Sequence, residues 1–189
     1  MVVTNNVNPM LIILEGPECT GKTTVASKLA EEYGARVQKG VRIADRFLLM
    51  SSTIRDLENQ ILRTSGLVGE AMTVFDRWPA ISDCIYEKYI VGGNPITYYM
   101  LPFFQDLFVN NNVKLVFLNI SRDEMIKRFE ARGDKIVSLD EALVAYDAYQ
   151  QFYNECRNMI PCQIIDATNL SEDDTFNMVR DVVGLSREV

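Results

Sequence analysis

The chain has 189 residues and no histidine. That absence removes imidazole from any proton-transfer step and from any metal site. Cysteine is scarce: Cys19, Cys84, Cys156 and Cys162, with no CxxC pair among them, which argues against a zinc site. No apolar run approaches the ~20 residues needed to cross a bilayer. The opening "MVVTNNVNPM" lacks the basic start and long apolar stretch of a secretion signal. A reducing cytoplasmic setting without a membrane partner is expected. Positive charge is in deficit, with 19 Lys and Arg against 26 Asp and Glu, a net charge of -7. A general nucleic-acid coat needs a basic face, so no nucleic-acid partner is expected and the basic residues must act locally. There is no internal repeat, low-complexity segment or linker. A chain of this length with 48% hydrophobic residues supplies one sizeable core. One domain over 1–189 is expected.

What is present alternates between two periods. "MLIILE" is a continuous apolar run, the pattern of a strand buried on both faces. A glycine-containing loop follows, then "KTTVASKLAEEYG", where Val25, Ala26 and Leu29 recur at helical spacing and Gly34 stands at the helix end. "ARVQKG" reads as a short strand. "RFLLMSSTIRDLENQILRTSG" (46–66) predicts a long helix with Leu49, Ile54, Leu57 and Ile61 on its apolar side. "AMTVFDR" is a strand ending in charge, and "AISDCIYEKYIVGG" a helix stopped by glycines. "TYYMLPFFQDLFVNNN" is a further helical segment, with Pro102 near its start. "VKLVFLNI" is a strand, and "SRDEMIKRFEARG" a helix opened by a capping box of Ser121 and Glu124. Helix "LDEALVAYDAYQQFYNECRNM", strand "CQIIDA" and helix "SEDDTFNMVRDVV" complete the chain. This alternation predicts an α/β fold: about five parallel strands with helices on both faces, in three layers. Ligands of such folds bind beyond the carboxyl ends of the strands. That directs attention to 16–24, 76–78, 119–122 and 166–169.

Three clusters in those places carry chemistry. "GPECTGKT", from Gly16 to Thr23, fits G-x-x-x-x-G-K-[ST] between a buried strand and a helix. Loop amides and the helix N-terminus would surround phosphates, Lys22 would reach the β- and γ-phosphates, and the Thr23 hydroxyl would bind Mg²⁺. The bland alternative is a glycine turn. In "TVFDRWPAISD", Asp76 would hold metal-bound water or accept a proton, and Arg77 would clamp an anion bidentately. Trp78 offers a flat face for a base or for packing. A structural Asp–Arg pair is the competing reading. In "KRFEARGDK", Arg128 and Arg132 share a helix face and end in Gly133 and a polar stretch. Together they would close over phosphates; the alternative is a solvated arginine pair. Tyr146, Tyr149, Phe152 and Tyr153 recur at helical spacing, a core or interface stripe, one of whose members would line a base pocket.

These pieces together resemble the thymidylate kinase family of nucleoside-monophosphate kinases, which have a P-loop NTPase-type fold. "ILEGPECTGKTT" resembles the family's EG-x-D/E-x-x-GKTT loop, and "FDRWPAIS" its strand-end Asp-Arg-aromatic motif. "LNISRDEMIKRFEARG" resembles its strand and arginine-bearing lid helix, and "IIDATNLSED" its last strand and adenine loop. The resemblance spans most of the chain. It implies that ATP and Mg²⁺ sit on Gly16, Cys19, Thr20, Gly21, Lys22, Thr23 and Thr24, with Thr168 in the adenine loop. Thr23 and Asp76 would be the metal residues. Glu18 would bond the acceptor's 3′-hydroxyl, and Arg77 its phosphate. Arg55 would also touch the acceptor. Trp78, Ser82 and Tyr86 would approach its base. Arg128 and Arg132, in a lid around 128–138, would supply transition-state charge, with Arg128 also against ATP. Catalysis would fall to Lys22, Asp76, Arg77, Arg128 and Arg132. Family members pair as homodimers, which is expected here.

The chain departs from the pattern in places. "QKGVRIADR" stands where the family has Arg-Glu-Pro, leaving Lys39 or Arg42 as substitutes, and "GDKIVS" offers only Lys135 in the lid. The expected activity is transfer of the γ-phosphoryl group of ATP to a pyrimidine deoxynucleotide: dTMP, dUMP or a 5-modified analogue. Two alternatives stay open. One is a deoxynucleoside kinase, with Glu18 or Asp76 as base. The other is a nucleotide-binding module without transferase activity; the Asn-Lys-x-Asp motif of a GTPase switch is absent.

Overall fold

The computed structural model describes residues 10–40, 72–94, 98–99, 101–102, 105, 108–109, 112–133 and 137–185. The expected helix over 46–66, with Arg55, lies outside the described residues, as do Arg42 and Lys135. The first apolar run forms β1 (Leu11–Glu15) and leads through the glycine loop into α1 (Lys22–Tyr33). β2 (Arg36–Lys39) and β3 (Thr73–Asp76) follow. Next come α2 (Pro79–Ile85), β4 (Val113–Asn119), α3 (Arg122–Arg132), α4 (Leu139–Cys156), β5 (Cys162–Asp166) and α5 (Glu172–Val183). The described positions between 98 and 109 are helical.

All strand pairs are parallel, in the order β2-β3-β1-β4-β5. The fold is therefore the α/β P-loop NTPase sandwich, with a five-stranded sheet. β1 lies at its centre, which is why each of its residues is buried. Its side chains alternate between two cores. Leu11 and Ile13 join Ile81, Ile85, Leu115, Phe117 and Phe152 under α2 and α4. Ile12 and Leu14 join Val25, Leu29, Val116, Leu118, Phe176 and Val179 under α1 and α5. Each such Leu or Ile contributes about 1.5–3 kcal/mol relative to exposure. A third cluster, with Ile120, Met125, Phe129, Ala142 and Tyr146, packs α3 against α4.

Parallel register brings every carboxyl end to one side. Leu14 pairs with Asp76, Lys39 with Asp76 and Asn119 with Asp166. Two glycines permit close approach there. A Cβ on Gly16 (φ 136°) would meet the Leu118 carbonyl oxygen at 2.0 Å. A Cβ on Gly40 would meet the Arg77 carbonyl oxygen at 2.6 Å.

Two elements differ from expectation. The run after Pro79 is α-helical only to Ile85 and continues as a π turn over Tyr86–Ile90, closed by the Val91 N–H on the Tyr86 carbonyl. The capping box at α3 is half made. Ser121 accepts from the Glu124 N–H, but the Glu124 carboxylate turns to Arg128 at 2.7 Å, and the Ser121 N–H goes to the Thr168 hydroxyl. An i,i+4 ion pair has replaced the reciprocal bond. The complete box is at α4, between Ser138 and Glu141.

Candidate functional site

The loop from Gly16 to Gly21 holds three left-handed positions, Gly16, Cys19 (φ 62°) and Gly21 (φ 87°). No side chain caps the N-terminus of α1 and no acidic residue lies in its first turn. Its N–H groups are therefore left for an anion. Lys22 is buried and arches over its own loop, donating to the Pro17 carbonyl and, at 3.0 Å, to the Thr20 hydroxyl. Burial, and then the Arg77 charge, push its ammonium below the usual lysine range.

The expected partners from β3 stand beside the loop. The Thr23 hydroxyl donates to Asp76 Oδ2 at 2.6 Å, across 53 residues of sequence. The next residue, Arg77, has φ 72°, an uncommon backbone state for a side chain of this size. Its guanidinium donates to Glu18 Oε1 at 2.6 Å. Arg132 reaches the other Glu18 oxygen at 3.7 Å. Burial works to raise the Glu18 carboxyl, but Arg77, Lys22 and Arg132 overrule it and hold it down at about 2. The acidic loop residue is thus the counter-ion of two arginines at the mouth of the loop.

Arg128 and Arg132 do not act as one pair. Arg128 donates to Glu124 and to three carbonyls: Cys19 at 3.4 Å, Ala167 at 2.9 Å and Thr168 at 3.5 Å. It joins the phosphate loop to the loop after β5. Thr168 is fixed there too, its hydroxyl donating to Asp166 and accepting from the Ser121 N–H at 2.8 Å. Thr24 is half-buried on α1.

The group expected near a base is placed differently. Trp78 is 1% exposed and packs on Phe108, with ring centroids 5.6 Å apart. Of the two roles expected of Trp78, a face for a base or for packing, the structure shows packing. Ser82 and Tyr86 are buried as well. Ser82 and Tyr86 recur at the four-residue spacing that a helix turns toward the sheet, and Trp78, the extended residue just before that helix, enters the core beside it.

Sequence reasoning missed Glu15. It ends an apolar run, and it is wholly buried. Its Oε1 accepts from the Trp78 N–H at 2.6 Å, with the Ser82 hydroxyl at 3.5 Å, and its Oε2 accepts from the Tyr149 hydroxyl at 3.2 Å. Burial pushes its carboxyl above the usual range, against the pull of Arg77, the Trp78 N–H and Lys22. Its signal in the sequence is the carboxylate itself, closing a strand whose other positions are all apolar. Tyr149 is the member of the aromatic stripe that reaches this carboxylate; Phe152 is core, and Tyr153 lies 5.5 Å from Phe117.

No family model matches the chain. The SPbeta prophage-derived uncharacterized protein YorR of Bacillus subtilis (strain 168) is 31% identical over 139 residues, covering 72% of this chain and 79% of YorR. A crystal structure of YorR in complex with phosphorylated GDP matches with TM-score 0.71 and 25% identity, over 93% of this chain and 96% of that one. Two further structures share the fold. Deoxyadenosine kinase from M. mycoides with bound dCTP has TM-score 0.56 and 17% identity, over 91% of this chain and 97% of that one. Thymidylate kinase from Candida albicans has TM-score 0.53 and 16% identity, over 93% and 91%.

Proposed function

The chain belongs to the family of YorR, and from that premise we propose that it is an ATP- and Mg²⁺-dependent deoxynucleoside-monophosphate kinase. The observation that carries the reading is the pairing of Thr23 with Asp76 at 2.6 Å beside the Glu18, Arg77 and Arg132 cluster. One half suits a triphosphate and its metal; the other suits a second anion facing it. In this reading the loop amides and Lys22 hold the donor's phosphates. Arg77 holds the acceptor phosphate, and Glu18, bonded to Arg77, bonds the acceptor's 3′-hydroxyl. Arg132 adds charge at the transferring group, and Arg128 and Thr168 shape the donor end.

Phosphate oxygens are anionic near neutral pH, so no strong base is required, and positioning with charge stabilisation carries the rate. This accords with a chain without histidine. Among the described residues no group of three or more Asp, Glu or Cys is placed so that it could hold a metal ion by itself. The hydroxyl and carboxylate of Thr23 and Asp76 suit Mg²⁺, which takes few protein oxygens and completes its shell with phosphates and water. When bound, the ion neutralises phosphate charge.

The proposed acceptor is a pyrimidine deoxynucleotide, dTMP, dUMP or a 5-modified analogue, supported by the motif run around Asp76 and Arg77. A 1–189 kinase domain, a cytoplasmic setting and a homodimer belong to the same reading. The test is a panel of dTMP, dUMP, dCMP, 5-substituted pyrimidine monophosphates, dGMP and thymidine with ATP. The guanine nucleotide is included because YorR was crystallised with phosphorylated GDP. Diphosphate formation from a pyrimidine monophosphate is expected, with Arg77→Ala at least about 100-fold slower and still folded by circular dichroism. Phosphorylation of thymidine alone would favour the nucleoside kinase, in which Glu18 or Asp76 would serve as the base. ATP binding without turnover would leave a binding module.

A further inference from the structure

Arg77 carries the acceptor role in the proposed function, yet its backbone is in a state that L side chains avoid, with φ 72°. Such a state costs on the order of 1–3 kcal/mol and persists only where the surroundings over-determine it. The surroundings are specific. The Arg77 N–H donates to the Leu14 carbonyl at 3.0 Å, and Gly40 leaves room for the Arg77 carbonyl. The peptide that follows, the Trp78 N–H, is held at 2.6 Å by Glu15. The other oxygen of that carboxylate accepts from Tyr149, 134 residues along the chain. The Tyr149 ring in turn lies 5.9 Å from the Arg77 guanidinium carbon. One contact fixes the arginine's backbone and the other faces its head group, and a single buried carboxylate connects them.

We propose that Glu15 and Tyr149 are positioning residues for Arg77, the first locking its backbone through the Trp78 N–H and the second backing its guanidinium with a ring that the hydroxyl's bond to Glu15 holds in place. The proposal rests on the reading of Arg77 as the acceptor clamp. An apolar residue at position 15 would fill the space without the cost of burying a carboxylate. Tyr149→Phe keeps the ring and its packing on Phe117 and removes the hydroxyl, with its bond to Glu15 and its interaction with Ser82.

The experiment measures KM for the fastest nucleoside monophosphate of the panel and KM for ATP in six proteins: wild type, Tyr149→Phe, Arg77→Lys, their double variant, Glu15→Gln and Glu15→Ala. Tyr149→Phe is expected to raise the acceptor KM about tenfold, the scale of one buried hydrogen bond, with the ATP KM within twofold. In the Arg77→Lys background the same change is expected to have less than a twofold effect, because its effect runs through the guanidinium. Glu15→Gln retains an oxygen for the Trp78 N–H, so its acceptor KM should stay within threefold of wild type, while Glu15→Ala rises at least tenfold. An unchanged acceptor KM in Tyr149→Phe overturns the inference alone. So does an equal rise in both KM values, or an effect that persists in Arg77→Lys. Absence of turnover in the wild type overturns the kinase reading, and this inference with it.

Discussion

Glu15 and Glu18 sit three positions apart and titrate in opposite directions. Glu18 is held at about 2 against an ordinary 4.5. Between those values the folded protein binds fewer protons than the unfolded chain. Its contribution is therefore present above pH 4.5 and is lost as pH falls toward 2. Glu15 is raised above 4.5, so the folded protein holds its proton longer. Stability from this group declines as pH rises from 4.5 toward neutrality. Urea denaturation across a pH series separates them. Glu18→Gln should lose less stability than wild type between about pH 5 and 2, and Glu15→Gln less between about pH 5 and 8. Curves parallel to wild type would remove the respective assignment. The difference has one source: Glu18 faces two guanidinium groups at the loop mouth, whereas Glu15 is sealed beneath them.

Elements here are set by where backbones must touch. The phosphate loop leaves β1 against β4, and Gly16 is the residue that lets it do so. Gly16→Ala would place a methyl 2.0 Å from a carbonyl oxygen, in a backbone state with φ 136°. Neither atom is a side chain that can move aside. The expected cost is at least about 2 kcal/mol, a fall in Tm of about 4–8 °C for a chain of this size. A Tm within 1 °C of wild type would show that the loop can lift from β4. The strands, the loop and most helices were legible in sequence because burial and turn chemistry are local. Leu11–Glu15 reads as a two-faced strand, and Gly34 as a helix stop. The division of α2 from its π turn was not legible, since the apolar spacing from Pro79 to Ile90 suits either. Nor was the fate of Glu124, whose choice between a cap and Arg128 depends on Thr168 coming from another element.

At the scale of the molecule, the motif order showed which strand ends would meet but not how the inner and outer residues would sort. Thr23 and Asp76 were expected together and meet. Trp78 offered a face for a base or for packing, and is a core residue packed on Phe108 just before α2. The bond from Tyr149 to Glu15 joins the last third of the chain to the first strand, and no local pattern announces it. The homodimer proposed for this chain is tested by sedimentation velocity at micromolar concentration, where a species near twice 21.5 kDa is expected and a monomer would reject it.

Arg128 binds carbonyls on the phosphate loop and on the loop after β5 while fixed to its own helix at Glu124. It works as a tie-bar, setting the span between the places proposed for a nucleotide's phosphates and its base. A displacement at either end would be transmitted to the other. Arg132, one helical turn further and more exposed, lies beyond that tie. The two arginines thus divide the labour of a caliper: one keeps the jaws at a fixed opening, and the other meets Glu18 at the mouth between them.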